Sequence, residues 1–385
     1  MLRYLTAGES HGKALVALVD GFPAGVLLNT ELIDAELHRR QGGYGRGGRQ
    51  HLESDHVDVL SGLWRGITLG SPIALMVPNK DYKIDRMDDL DRPRPGHGDL
   101  SGSLKYLSSI RAILERASAR ETTARVAAGA LAKQLLSLFG ITVFGYVVEV
   151  GPIVIHGKPG TLEEQLSLRD RSELYSLNPD QDAEAKALID QMRSAGNTLG
   201  GVIEVRVEGV PFGLGTHAQW DLKLDGRLSQ AIMATQAIKG VEIGLGFGMA
   251  RRPGSEVHDP IHYDPKQSGT PTLGFTRPTN NAGGLEAGMS NSQPIVIRAA
   301  KKPISTLGRP LESVNLKTLL PEAAAYERSD LCAVAAASCI LENVVAFEIA
   351  RAMVDKFGGD SLEEMQARYK LFHELAIKKL SLDNK

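Results

Sequence analysis

Residues 201–210 read GVIEVRVEGV. Ile203, Val205 and Val207 fall at every second position, the period that sends successive side chains to opposite faces of a strand, so these three point inward. Two further runs rich in β-branched residues, Ile141 to Val150 and Pro294 to Arg298, read as strands on the same grounds. Around them lie long helix-favouring stretches. Thr30 to Gln41 predicts a helix with Thr30 as N-cap, Glu31 and Asp34 at its positive start, and Gly42-Gly43 as its stop. Leu104 to about Phe139 is almost proline-free and ends at Gly140, and Leu331 to Phe357 is Ala-rich at its start and closes at Gly358-Gly359. Strands do not alternate regularly with helices. The expected class is therefore mixed α+β with antiparallel strands.

Composition bounds the function. The chain has 385 residues, 42% hydrophobic and 23% charged, near the soluble globular average. Its 44 Lys and Arg against 46 Asp and Glu give a net charge of −2, which argues against a global polyanion binder but leaves room for a local basic site. Length alone suggests about two or three domains. The most polar stretch, 158–200, reads as surface helices and loops, an insertion rather than a boundary. Cys332 and Cys339 supply neither a disulfide framework nor a Cys-based zinc site, and read as two buried thiols on one helix face. The opening MLRYLTAGES carries no apolar core of signal length, and no run approaches 18 apolar residues, so the expectation is a cytoplasmic protein without membrane contact.

Several motifs carry possible chemistry. Gly8-Glu9-Ser10-His11-Gly12 follows the strand-like MLRYLTA; it is either a turn with a surface histidine or one that exposes His11 for work. HRRQGGYGRGGRQ holds Arg39, Arg40, Arg46 and Arg49, whose planar forks suit phosphate or carboxylate oxygens. Its glycines would let backbone N–H groups close on the same anion. A literal GxGxxG at Gly43–Gly48 follows a helix, not a strand, and is rejected as a dinucleotide fingerprint. An RGG-like RNA segment is the competing reading. In RPRPGHGD, prolines flank Arg94 and glycines flank His97, while Asp99 stands ready to orient the imidazole. Arg116 and Arg120, four apart, are expected to share a helix face. Lys301-Lys302-Pro303-Ile304-Ser305-Thr306-Leu307 reads as a strand-edge turn bearing a cation and a hydroxyl. Ser329 or Asp330 would cap the helix that follows. Metal binding is not expected. In HLESDH, alternation puts His51 and His56 on opposite faces and groups Arg49, Glu53 and Asp55 as ions, and HDPIHYD at 258–264 reads as a mobile loop. There is no GxSxG elbow and no P-loop.

Taken together these motifs resemble the chorismate synthase family across nearly the whole chain. The resemblance rests on GESHG with the following GFPAG, on ERASARETTARVAAGA at 115–130, and on ERSDLCAVAAASCILENVVA at 327–346. RRQGGYGRGGR, RPRPGHGD, GLGTHAQWDLKLDGRL, KGVEIGLGF, NNAGGLEAGMSNSQPI and KKPISTLG stand between them in family order. It implies one domain over 1–385: a β-α-β sandwich with helices layered between antiparallel sheets, assembled as a homotetramer. It implies conversion of 5-enolpyruvylshikimate 3-phosphate to chorismate, a 1,4-anti elimination of phosphate that needs reduced FMN without net redox change. By the same resemblance Ser10, Arg40, Arg46, Arg49, Arg94 and Arg120 fall on substrate positions. His11 matches the acid that assists the departing phosphate. His97 matches the histidine that protonates or holds the reduced flavin near N1. Asp330 matches the aspartate assigned to deprotonating flavin N5. Ser118, Ala119, Gln236, Ala237, Lys302, Thr306 and Arg328 fall on flavin-pocket positions.

The chain departs from the family pattern at five places. Gln236 replaces a common Asn, Gly98 an Ala, Leu331 and Ala335 prolines, and Leu69 a Thr. None removes a catalytic side chain, but they bear on local rigidity. Two other functions compete. One is a bifunctional synthase that reduces its own FMN with NADPH, against a monofunctional one served by an external flavin reductase. The other is a non-enzymatic RNA-binding protein, set against the near-neutral charge.

Overall fold

The structure is a computed structural model that describes residues 1–47, 54–327 and 329–380. Strand Gly201–Glu208 forms where the alternation places it, and Ile203, Val205 and Val207 are at most 1% exposed. It pairs antiparallel with Thr142–Val150 on one side and Ile295–Lys301 on the other, with Val205 opposite Gly145 and Ile297. Ile238–Ile243 and Ile153–Val154 extend this sheet at its two ends. A second antiparallel sheet runs Arg3–Ala7, Ala14–Asp20, Ile73–Pro78, Asp58–Ser61. Helices Thr122–Ser137 and Val334–Phe357 lie between the two sheets: the first touches strands of both, the second packs on Thr142–Val150 and Gly201–Glu208. The α+β class with helices layered between antiparallel sheets thus holds.

Small residues allow the layers to close. Gly129 faces the backbone of Asn343, where an added Cβ would sit 2.2 Å from the Asn343 carbonyl oxygen. Gly145 stands in the same relation to Ser338, at 2.5 Å. Beneath them a charged group is buried in the helix layer. Glu342, fully buried, bonds Arg39 at 2.8 Å, Arg169 at 3.2 Å, Lys133, and the Gly145 N–H at 2.8 Å. The apolar core around this group runs from Leu2 to Met365.

Several boundaries differ from the sequence reading. Asn29, not Thr30, caps helix Thr30–Gln41: its extended backbone and its side chain, which accepts the Glu31 N–H at 2.9 Å, leave Thr30 as the first helical residue. The stretch 104–139 is three pieces rather than one helix. Leu107 at φ 50° ends Asp99–Tyr106, Ser109 caps Ile110–Ala117, and Ser118 turns extended before helix Thr122–Ser137. Arg116 and Arg120 therefore do not share a face. The Ala-rich helix begins at Val334, so Cys332 lies outside it; both thiols are buried, but not on one helix face. The polar stretch 158–200 forms helices Leu162–Arg171 and Asp182–Ser194, and these bury Leu174, Ala185 and Ile189 against Val147 and Val150. Within 258–264, His262–Tyr263 pairs with Phe275–Thr276. Among the described residues no helix is long and apolar enough to cross a membrane.

Candidate active site

The turn that carries His11 joins the first two strands. Gly8 has φ 103°, and a Cβ there would lie 2.2 Å from the Ala14 carbonyl oxygen, so no other residue fits. Two residues hold the turn from outside. Asn79, at the end of strand Ile73–Pro78, donates its Nδ2 hydrogens to the carbonyls of Gly12 at 2.8 Å and Glu9 at 3.2 Å. Glu115, from helix Ile110–Ala117, accepts the His11 N–H at 2.7 Å and lies 2.9 Å from His11 Nδ1. The Glu115 carbonyl accepts the Ser10 N–H at 2.7 Å, and Ser10 Oγ donates to Ser118 Oγ at 3.1 Å. Burial alone would push the Glu115 carboxyl up; the bonds from His11 outweigh it and hold the group below its usual range.

His97 is held in the same manner. Asp99, fully buried, lies 2.5 Å from His97 Nδ1 and takes Arg94 Nε at 2.9 Å and the Arg94 N–H at 2.9 Å. Arg94 Nη1 donates to Thr306 Oγ1 at 2.9 Å. Burial again opposes ionisation, and the His97 and Arg94 bonds keep the Asp99 carboxyl well below the ordinary carboxylate range. The orienting role expected of Asp99 is met, and it extends to the arginine as well.

Arg40 and Arg120 meet over Asp55. Arg120 Nη1 donates to Asp55 at 2.7 Å, and its Nε and Nη2 reach Asn79 Oδ1 at 3.0 and 2.8 Å. Arg40 lies 3.6 Å from Asp55 and donates to Thr122 Oγ1 at 3.1 Å and the Ala119 carbonyl at 3.2 Å. Burial and the Arg120 charge, resisted by Asp55, lower Arg40 to about 10. Arg40 Nη1 and Asp55 Oδ1 are buried without a hydrogen-bond partner among the described residues. Arg116 instead runs over the surface to the Thr6 carbonyl at 2.8 Å, because the Ser118 break has turned it away from Arg120.

Arg46 Nη1 donates to Asp330 at 2.6 Å, and the Gly47 N–H reaches the other Asp330 oxygen at 2.7 Å. Asp330 is therefore an anchor of the arginine loop and not the N-cap of the following helix. The loop is fixed on its near side: Gly45 accepts the Leu331 N–H at 2.9 Å, and Tyr44 donates its hydroxyl to Asp190 at 2.7 Å. A proline at 331 would lack the first of these bonds, so here the backbone supplies the stiffness that the ring would have given. Gly98 has ordinary van der Waals room for a methyl, 3.8 Å from Ala117, so its departure from Ala costs no contact. Arg49 and Arg328, with the 51–53 part of HLESDH, lie outside the described residues; of the ion group read there only Asp55 is described, and it pairs with Arg120 and Arg40.

The expected cofactor residues are strung between these groups. Lys302 donates Nζ to the Gly96 carbonyl beside His97, and its N–H to Ala237 at 2.9 Å. Burial and the neighbouring Lys239 charge hold the Lys302 amine below its usual range. Ala237 takes φ 68°, and Gln236 Nε2 donates to Glu121 at 3.1 Å while its Oε1 is buried without a partner among the described residues. The contacts thus tie the GESHG turn, Ser118–Glu121, the PGHGD loop, 236–237 and 302–306 into one constellation, and Arg40, at the end of the helix that leads to Arg46, joins it at Ala119; Arg46 and Asp330 are bonded to each other beside the Gly45–Leu331 bond. Sequence reading passed over Asn79, and took Glu115 only as an acid that could satisfy neighbouring charges on its helix. Asn79 ends an apolar strand with a residue whose amide can bind three ways, and that was its only signal; Glu115 looked like any acid on a charged helix.

The family model for chorismate synthase matches residues 2–354. The chain belongs to the chorismate synthase family. It is 53% identical over 383 residues to the chorismate synthase of Geobacter metallireducens, covering 96% of this chain and 98% of the relative. Against that of Geobacter sulfurreducens it is 51% identical over 388 residues, covering 97% and 99%. A crystal structure of a chorismate synthase superposes with a TM-score of 0.81 at 41% identity, over 98% of both chains. As a chorismate synthase the protein is a carbon–oxygen lyase acting on a small molecule.

Proposed function

We propose that this chain converts 5-enolpyruvylshikimate 3-phosphate to chorismate and phosphate by a 1,4-anti elimination that requires reduced FMN, within aromatic amino-acid biosynthesis. The observation that carries the reading is the pair of histidines each held at Nδ1 by a buried carboxylate, set among arginines from three separate stretches of the chain. The substrate has a phosphate and two carboxylates, and Ser10, Arg40, Arg46, Arg49, Arg94 and Arg120 are the groups proposed to receive them. His11 donates a proton to the departing phosphate. His97 holds a proton on the cofactor side. Asp330, gripped by Arg46 and the Gly47 N–H, is the carboxylate that finally receives the proton lost from the substrate ring.

The residues present suit a flavin. Among the described residues the buried Gln236 Oε1 has no partner and is an acceptor awaiting a donor, and Lys302, whose backbone N–H bonds the adjoining Ala237, offers a partly desolvated cation at the His97 loop. Ser118, Ala119, Gln236, Ala237, Lys302, Thr306 and Arg328 would hold the group. An electron-rich reduced ring there supplies charge to the allylic system as the C–O bond breaks. We further propose one domain over 1–385, supported by the continuous Leu2–Met365 core, a homotetrameric assembly, and a cytoplasmic location. An external flavin reductase supplies the reduced cofactor in this reading. NADPH-supported turnover in air without added reductant would instead identify a bifunctional enzyme. The reading is tested by assaying substrate conversion with reduced FMN, oxidised FMN and none: only the first should turn over, and equal rates in all three would overturn it.

A further inference from the structure

Three bonds join Glu115 to the Ser10-His11 dipeptide. Its carbonyl takes the Ser10 N–H, one carboxylate oxygen takes the His11 N–H at 2.7 Å, and the other lies 2.9 Å from His11 Nδ1. Its side chain is 4% exposed, so water does not compete for these oxygens. An ionised carboxylate only accepts hydrogen bonds, so Nδ1 must be the nitrogen that carries the proton in this pair. Any proton exchanged with a bound ligand then falls to Nε2. The backbone bond matters as much as the ring bond: one rigid helix side chain fixes both where the His11 main chain sits and which tautomer its ring adopts.

We propose that Glu115 is a positioning residue for the elimination, acting through His11 by locking the Nδ1-protonated ring. This rests on His11 being the acid of the proposed reaction. Glu115→Gln keeps the shape but has one acceptor and one donor. With the oxygen on the His11 N–H, the new amide donates to Nδ1 and forces the proton to Nε2. In carboxylate–histidine–hydroxyl triads, an acid-to-amide change of this kind costs up to about 10⁴-fold.

The experiment combines kinetics with ¹⁵N NMR of the imidazoles, the His11 signal being assigned by its loss in His11→Ala. Expected for Glu115→Gln are a 10²- to 10⁴-fold fall in kcat, a KM within about threefold of the parent, unchanged reduced-FMN binding, and a His11 tautomer switched from Nδ1–H to Nε2–H. In a His11→Ala background the same substitution should cost almost nothing further, because the two act as one unit. Unaltered kcat, an unswitched tautomer, or a full additional loss in the double variant would each overturn the proposal. If His11→Ala alone leaves kcat intact, the acid role of His11 fails, while the tautomer measurement still reports on Glu115.

Discussion

His11 and His97 present a common arrangement from unrelated segments: Nδ1 against a buried carboxylate, 2.9 Å from Glu115 and 2.5 Å from Asp99. Both rings sit in glycine-flanked turns outside the core, so truncating them should spare the fold. We expect His11→Ala and His97→Ala each to slow turnover by about 10²- to 10⁴-fold, the range for losing a general acid. Circular dichroism and thermal midpoints should stay close to the parent; unfolded variants would mean that the histidines are structural. Arg46 behaves differently, because its 2.6 Å bond to Asp330 ties its proposed role in substrate binding to the placement of that carboxylate. Arg46→Ala should weaken substrate binding by roughly 2–5 kcal/mol, the range for truncating a buried hydrogen-bonded charge pair. Arg46→Lys should recover only part, since it keeps charge but loses the fork. Unchanged affinity in Arg46→Ala, read by equilibrium binding, would remove the loop from the site. The histidines and arginines were legible because their types announce anion and proton chemistry. Asn79, Glu115 and the bridging place of Asp55 were not, since their importance lies in partners 67, 104 and 65 positions away, at Gly12, His11 and Arg120 respectively — distances along the chain that no local pattern encodes.

Elements were legible where one face is buried and one is not. The Gly201–Glu208 alternation gave the inward face, because a slip by one residue would expose Ile203, Val205 and Val207, while the pairing with Thr142–Val150 and Ile295–Lys301 came only with the structure. The 104–139 stretch shows the limit of such reading: every residue there tolerates a helix, yet Leu107 and Ser118 break it for tertiary reasons. Those breaks turn Arg120 under the GESHG turn and leave Arg116 outside. Helix caps were misplaced by small margins for a local reason, as Asn29 outcompetes Thr30 for the Glu31 N–H. The two central helices approach closely at Gly129, where a methyl would meet the Asn343 carbonyl at 2.2 Å. Gly129→Ala, despite its better helix propensity, should destabilise by about 1–3 kcal/mol through overpacking. A denaturation midpoint equal to or above the parent would show that the two helices can part at little cost.

Across the whole molecule, buried carboxylates matched to cations recur. The Glu342, Glu36, Asp99, Glu115 and Glu121 carboxyls all lie below their ordinary values in the folded protein: burial pushes each up, and nearby cations and hydrogen bonds override it. Their contribution to stability is therefore full above the unfolded values of 3.8 to 4.5 and is lost as pH falls through the lower folded ones. The thermal midpoint should be level from neutral pH down to about 5 and fall steeply below about 4; a midpoint that holds or rises at pH 3 would contradict this assignment. Glu342→Ala, which removes the buried partner shared by Arg39, Lys133 and Arg169 and leaves the first two to Glu36 alone, should cost about 3–5 kcal/mol at pH 7. The layered α+β architecture was legible from strand and helix patterns together, whereas this ionic group was hidden because its members come from four distant stretches. The proposed redox-neutral elimination at one preorganised site has a direct readout in product stoichiometry under anaerobic conditions. With substrate in large excess over reduced FMN, chorismate absorbance and free phosphate should rise together, one to one, through many turnovers per flavin. Phosphate released without chorismate, or product that stops at one per flavin, would contradict it.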